Sequence, residues 1–239
     1  MSPKPKASPL EHFPRPSLAV DVVVLTVEGG ELRVLLYRRE LEPQRGRHAL
    51  PGGFMHIDES IDAAVARLMK QKIGLAGCFV EQLYTFGGLH RDPRGRVVTV
   101  AYYALVDARR FRDQAVAAAL SARVVVPWRG ETGGPVKVVG ADGKTLSLFL
   151  DHADILGAAV KRLRAKLDTS PIGFQLLPHE FTLRALQDVH ETVRGEALNK
   201  DSFRRRMLAS GLLEATGDQE RDVLHRPAEL YRFTRRSAT

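Results

Sequence analysis

The apolar pattern of this chain changes once, across Asp168–His179 (DTSPIGFQLLPH), and a single fold layer cannot accommodate both sides of that change. Up to Leu167, strand-like segments alternate with helical ones. Ala19–Val27 and Leu32–Arg39 are rich in Val and Leu, and Glu28-Gly29-Gly30-Glu31 joins them as a turn. His48–Phe54 is a short segment broken by Pro51-Gly52-Gly53. Glu59–Ile73 carries Ile61, Val65 and Leu68 on one helical stripe, with Asp58 placed to cap its start and Gly74 to end it. Val80–Phe86 and Val97–Val106 read as strands around the charged loop His90–Arg96. Val124–Trp128 and Leu146–Leu150 read as two more, and His152–Leu167 as a helix. This alternation predicts an α/β (α+β) domain. Beyond His179, Thr182–Val193 puts Leu183, Leu186, Val189 and Val193 on one stripe before Gly195. Asn199 can cap a second helix that runs to about Ala209 and ends at Gly211. Leu212–Thr216 and Glu229–Phe233 then pair around a polar loop.

The boundaries that follow are a flexible lead-in over 1–17, a first domain over 18–167, a linker over 168–179 and a smaller second domain over 180–239. The lead-in holds five prolines and has no apolar run of the kind a secretory signal needs. No apolar run approaches the ~20 residues of a membrane helix. Cys78 is the only cysteine, which excludes an internal disulfide and fits a reducing cytoplasm. The net charge is +8. It is not a basic tail, because residues 151–239 hold 15 Lys+Arg against 13 Asp+Glu, leaving 21 against 15 for the first 150. Any surface for a polyanion must therefore be a local cluster.

Two clusters stand out. The first surrounds Gly53. Arg38 and Arg39 end a strand, Arg47 follows, Gly52-Gly53 makes a turn, and Arg91, Asp92 and Arg96 sit in the charged loop. Arginines can hold a diphosphate bidentately, and Phe86 or Tyr102 could stack an adenine ring. The string Gly53-x5-Glu59-x7-Arg67-Leu68-Met69-Lys70-Gln71-Lys72-Ile73-Gly74-Leu75 resembles the Nudix box, G-x5-E-x7-R-E-U-x-E-E-x-G-U. Ala49–Gly53 resembles the strand and turn that precede the box in that family, and Tyr84–Gly87 and Asp92–Val98 are similar to its ADP-ribose pyrophosphatase branch. The resemblance implies that Glu59 and Arg67 form an ion pair shaping the loop–helix turn. It also implies that three box glutamates would hold divalent metal, and their positions here are Leu68, Gln71 and Lys72. Mg²⁺ requires hard anionic oxygens. Leu68 offers no donor, Gln71 only a neutral carbonyl, and Lys72 an ammonium in place of the cation. The expectation is a domain that keeps the pocket, holds no metal, has no catalytic residues and does not hydrolyse.

The second cluster is Asn199-Lys200-Asp201-Ser202-Phe203-Arg204-Arg205-Arg206-Met207-Leu208. On a helical wheel Phe203 and Met207 face inward, while Ser202, Arg205 and Arg206 lie opposite. Arg204 falls at the apolar edge, where its head can reach a phosphate or pair with an acid. Lys200 sits in the first turn. An Arg/Ser face suits reading guanine edges and phosphates. Helix, turn, basic helix and two strands look like a winged helix-turn-helix, with Arg226, Arg232, Arg235 and Arg236 on the wing and tail. Taken together with Phe181–Gln187, Phe203–Leu213 and Arg226–Phe233, nearly the whole chain resembles the Nudix-related transcriptional regulators of NAD metabolism. That resemblance implies a homodimeric, nucleoid-associated repressor of NAD-biosynthesis or salvage genes that binds double-stranded, palindromic DNA. Its effector would be ADP-ribose or a related NAD-derived nucleotide, with no cofactor required. The rival reading is a working Nudix hydrolase carrying a C-terminal accessory domain.

Overall fold

The computed structural model describes residues 13–113, 119–221 and 226–234. Its organising element is β1 (Ser17–Glu28), whose run from Ala19 to Thr26 is buried without interruption. A strand buried on alternate and intervening positions must be covered on both faces. Val20, Val22 and Val24 face one apolar cluster, and Val23 and Leu25 face the other. Gly29 and Gly30 take φ of 59° and 74°, so Glu28 pairs with Glu31 across a two-residue hairpin into β2 (Glu31–Arg38). The short strands β3 (His48–Ala49) and β4 (Gly52–Phe54) pair with β2 and β1.

The box region departs from a single α-helix. α1 (Ile61–Leu68) is capped by Ser60, whose Oγ accepts the Ala63 N–H at 3.1 Å, and not by Asp58. Met69–Ile73 then widens into a π-turn, and Gly74, at φ 70°, ends it as expected. β5 (Phe79–Phe86) and β6 (Val97–Leu105) follow, with β6 parallel to β1. α2 (Ala108–Asp113), unpredicted, buries only Phe111. The next strand is β7 (Ala119–Val125), several residues earlier than the pattern suggested. β8 is Lys137–Val139. Leu146–Leu150 is not a strand: Leu148 makes only an isolated bridge to His48, and the segment instead leads into α3 (His152–Lys166). The sheet runs β5-β6-β1-β2-β7-β8. α1 and α2 cover one face, and α3 covers the other.

After a 3₁₀ turn at Pro171–Leu176, the chain forms β9 (Glu180–Thr182), α4 (Leu183–Arg194), α5 (Lys200–Ala209), β10 (Leu213–Gln219) and β11 (Glu229–Phe233). The two strands expected at the end are present, and β9 adds a third, in the order β10-β11-β9. Thr182 caps α4, and Gly195, at φ 73°, ends it. The α4–α5 turn is pinned from inside. Buried Gln187 donates to Glu191 Oε1 and to the Leu198 carbonyl at 2.9 and 3.0 Å, and Leu198 N–H donates to the same Oε1. One apolar cluster runs from Val23 through Leu163 of α3 to Leu186, Phe203 and Phe233. Arg164 crosses that junction almost fully buried. It donates to the carbonyl of Val193 at 2.7 Å, and to those of Trp128 and Gly130 at 3.2 and 2.9 Å. No helix among the described residues is long and apolar enough to cross a membrane.

Candidate ligand cavity and nucleic-acid face

A cavity of about 660 Å³ opens where the β4 turn, the end of β2, the charged loop and the start of α3 converge. Of the residues chosen from sequence, Arg38, Arg39, Gly52, Gly53, Arg91 and Asp92 line it. Five others do not. Arg47 points along the surface toward the Leu148 carbonyl. Arg96 donates to the Gly87 and Gly88 carbonyls, and Phe86 packs edge-on against Tyr84 rather than into the cavity. Glu59 and Arg67 bond to each other at 2.6 and 2.9 Å, and Arg67 also reaches the Phe54 carbonyl. Those bonds, with the His56 N–H, hold the Glu59 carboxyl down at about 2. Their role is to fix the loop entering α1. Tyr102, the other ring considered for stacking, is buried in the sheet core.

The floor of the cavity was not visible in the sequence. It is built from Asp21 in mid-strand and from Phe149 and His152 at the start of α3, with Asp151 behind them as the partner of Arg91. His152 Nδ1 accepts the Leu50 N–H at 2.9 Å, so the ring proton sits on Nε2, which faces Asp21 Oδ1 at 3.8 Å. Burial pushes this imidazole below its ordinary range. The other Asp21 oxygen accepts from Thr99 Oγ1 at 2.8 Å. Arg91 clamps Asp151 with two bonds of 2.8 and 2.7 Å, and Arg39 lies over the Phe149 ring at 3.8 Å. Asp92 is already engaged by Arg94, which lowers its carboxyl and removes it as a free acceptor. The cavity therefore presents oriented guanidinium groups over a hydrogen-bonded floor, which suits a phosphorylated, aromatic ligand.

Gly52 makes this packing possible. A Cβ there would stand 2.2 Å from Asp21 Oδ1 and 2.8 Å from the Val20 carbonyl. Gly52→Ala is expected to lift β4 off β1, costing about 2 kcal/mol and weakening ligand binding with it. Urea unfolding of the purified variant checks this, and a stability within 0.5 kcal/mol of the parent (roughly the scatter of neutral substitutions) would show that the turn relaxes freely.

A divalent ion does not fit the box. Leu68 is 1% exposed within the apolar core, so it has neither the chemistry nor the placement of a ligand. Gln71 and Lys72 both line the cavity, and Lys72 Nζ donates to the Gly52 carbonyl. Among the described residues no group of three or more His, Cys, Asp or Glu side chains is placed to hold a metal.

On the second domain, Asn199 caps α5 by accepting the Ser202 N–H at 3.0 Å. Lys200, Ser202, Arg204, Arg205 and Arg206 are all exposed. At ~100° per residue, Arg205 stands nearly opposite buried Phe203. Arg206 does not share that face. Its guanidinium lies 5.5 Å from the Phe203 ring, and it lines a cleft with His190 and Arg194. Arg204 approaches the Tyr231 hydroxyl of β11, a phenol rather than an acid. Arg232 is paired across the wing with Glu214 at 2.8 and 3.0 Å, so its charge is already partly met. Arg226 is exposed on the wing approach. Arg235 and Arg236 lie outside the described residues.

Residues 173–233 match the family description "NrtR DNA-binding winged helix domain", and residues 15–124 match "NUDIX domain". The ADPR responsive transcriptional repressor NtrR of Acinetobacter baylyi is 35% identical over 223 residues, 92% of this chain and 83% of that protein. The crystal structure of Shewanella oneidensis NrtR complexed with a 27mer DNA superposes with a TM-score of 0.75 at 34% identity, covering 90% of this chain and 93% of that one. The NUDIX domain of the same Shewanella protein complexed with ADP ribose aligns at 32% identity and TM-score 0.50 over 66% of this chain and 94% of that one. Both matched domains thus align with relatives along nearly the whole length, and this chain belongs to the NrtR family, in which a Nudix domain is joined to a winged helix.

Proposed function

We propose that this protein is a DNA-binding transcriptional repressor whose Nudix domain senses ADP-ribose or a related NAD-derived nucleotide without hydrolysing it. The observation that carries the reading is the alignment of both parts, in one chain, with a relative solved on DNA and with a domain of that relative solved with ADP ribose. The finer points are our own reading: a sensor over 18–167, a linker over 168–179 and a reader over 180–239, acting as a homodimer on palindromic operators of NAD-biosynthesis or salvage genes in the cytoplasm. Two copies would set their α5 helices into successive major-groove faces ~34–36 Å apart.

The path from sensor to reader is α3. Its first residue, His152, lines the cavity, Asp151 just before it pairs with the cavity's Arg91, and its last turn supplies Arg164 to the end of α4. A nucleotide drawn onto Arg39 and Arg91 competes for the Arg91–Asp151 clamp. It biases the reader only to the extent that the DNA-bound and free arrangements hold α3 differently.

The test uses duplexes that the full-length protein selects from a random-sequence pool. Binding followed by fluorescence anisotropy should weaken on addition of ADP-ribose, while incubation with ADP-ribose and Mg²⁺ or Mn²⁺ should release no AMP. Arg205→Ala should lose about tenfold in affinity, within the 1–3 kcal/mol of an arginine–guanine contact, or flatten the salt slope by about one if the contact is to phosphate. Rapid AMP release with no duplex selected would establish the hydrolase instead.

A further inference from the structure

We propose that the Lys72 ammonium is the resident cation of the Nudix cavity: it takes the non-bridging oxygens of a ligand's diphosphate, so that nucleotide binding needs no divalent ion. This rests on the sensing function proposed above and names the charge that holds the ligand's phosphates.

The side chain is exposed along the cavity wall and held there by a hydrogen bond. The π-turn at Met69–Ile73 separates it from Leu68, which goes into the core while Lys72 turns to the cavity. Its backbone is pinned from the opposite strand, because the Tyr37 hydroxyl donates to the Lys72 carbonyl. Nζ donates to the Gly52 carbonyl, which uses one of three ammonium N–H bonds and leaves two. The glycine turn lies directly over it. A Cβ at Gly53 would press on Leu68 Cδ2 at 3.2 Å and stand in ordinary contact with Nζ at 3.9 Å, which places the turn beside the ammonium.

Two of the three charged groups that act on Lys72 are arginines and oppose a second cation. Asp21 is the acidic group that acts on Lys72, and Arg39 and Arg67 act against it. Burial, with those two arginines, holds the ammonium below its ordinary range. A diphosphate seated between Lys72 and Arg39 relieves that repulsion, whereas Mg²⁺ at the same place adds two positive charges and finds no carboxylate from positions 68, 71 or 72.

Calorimetric titration of the full-length protein with ADP-ribose tests this in EDTA and in millimolar Mg²⁺. The expected result is the same Kd in both. Lys72→Met should bind at least tenfold more weakly with no recovery in Mg²⁺. Lys72→Arg should keep most of the affinity and show that loss of charge, rather than loss of fold, is responsible. Lys72→Glu should bind poorly in EDTA and recover in Mg²⁺. Binding that EDTA abolishes in the parent protein, or a Lys72→Met variant with parental affinity, overturns the assignment and leaves the sensing function standing. Absence of binding in either buffer overturns both.

Discussion

Arg164→Ala is expected to cost about 3 kcal/mol of folding stability, the order for removing charged hydrogen bonds from buried carbonyls. The substitution strands three carbonyls, those of Val193, Trp128 and Gly130, and removes the guanidinium stacked 4.7 Å from the Trp128 ring. Val193 lies in the last turn of α4, so the helix also loses a positive charge at its negative end. For a chain of this size the midpoint of thermal unfolding should fall by about 6–12 °C. Arg164→Lys should fall between the parent and Arg164→Ala, since a single compact ammonium replaces a guanidinium whose Nε and Nη1 reach carbonyls on separate segments. Urea unfolding gives the number. A loss below about 1 kcal/mol, the worth of one ordinary hydrogen bond, would mean that water enters and replaces the guanidinium.

A second large effect should appear on acidification. His190 of α4 is 4% exposed, packs edge-on against Phe203 at 5.1 Å, and leaves Nδ1 without a partner. Burial, followed by the charges of Arg206 and Arg194, pushes its pKa from 6.5 to about 4. The unfolded chain therefore binds a proton between these values and the folded chain does not. Stability is full above pH 6.5 and declines as pH falls toward 4, by up to about 3 kcal/mol at ~1.4 kcal/mol per pH unit. His152, also depressed by burial, adds in the same direction. Denaturant midpoints measured from pH 7.5 to pH 4.5 should fall steeply for the parent and less so for His190→Gln, which cannot titrate there. Parallel curves would show that His190 is already protonated, or solvated, in the folded state.

Local chemistry was legible in the sequence wherever it was decided by neighbours. Gly29-Gly30 marked a hairpin, Asn199 and Gly195 punctuated helices, and the stripe of α4 gave its buried face. What remained hidden was set at a distance. Asp21 reads as one polar residue in a valine strand, and it reaches the cavity floor only because β4 crosses β1 beside it. Phe149 and His152 read as a strand end and a helix start. Their place beneath Arg39 follows from the whole sheet order. The wheel put Arg206 beside Arg205, yet an aromatic ring and the helix pitch draw it toward Phe203. At Met69–Ile73 the apolar spacing suited an α-helix, and the wider turn appears only when Leu68 and Ile73 are both buried.

The tripeptide Glu180–Thr182 belongs to two elements at once. Phe181 and Thr182 pair with Tyr231 and Leu230 of β11, and the Thr182 hydroxyl closes the first turn of α4. The hairpin is thereby fastened to the root of the helix pair. On the proposed DNA-binding function, an offset fixed in this way would leave a duplex of the wrong curvature or groove width to deform, so sequences that bend readily should gain affinity at base pairs no side chain touches.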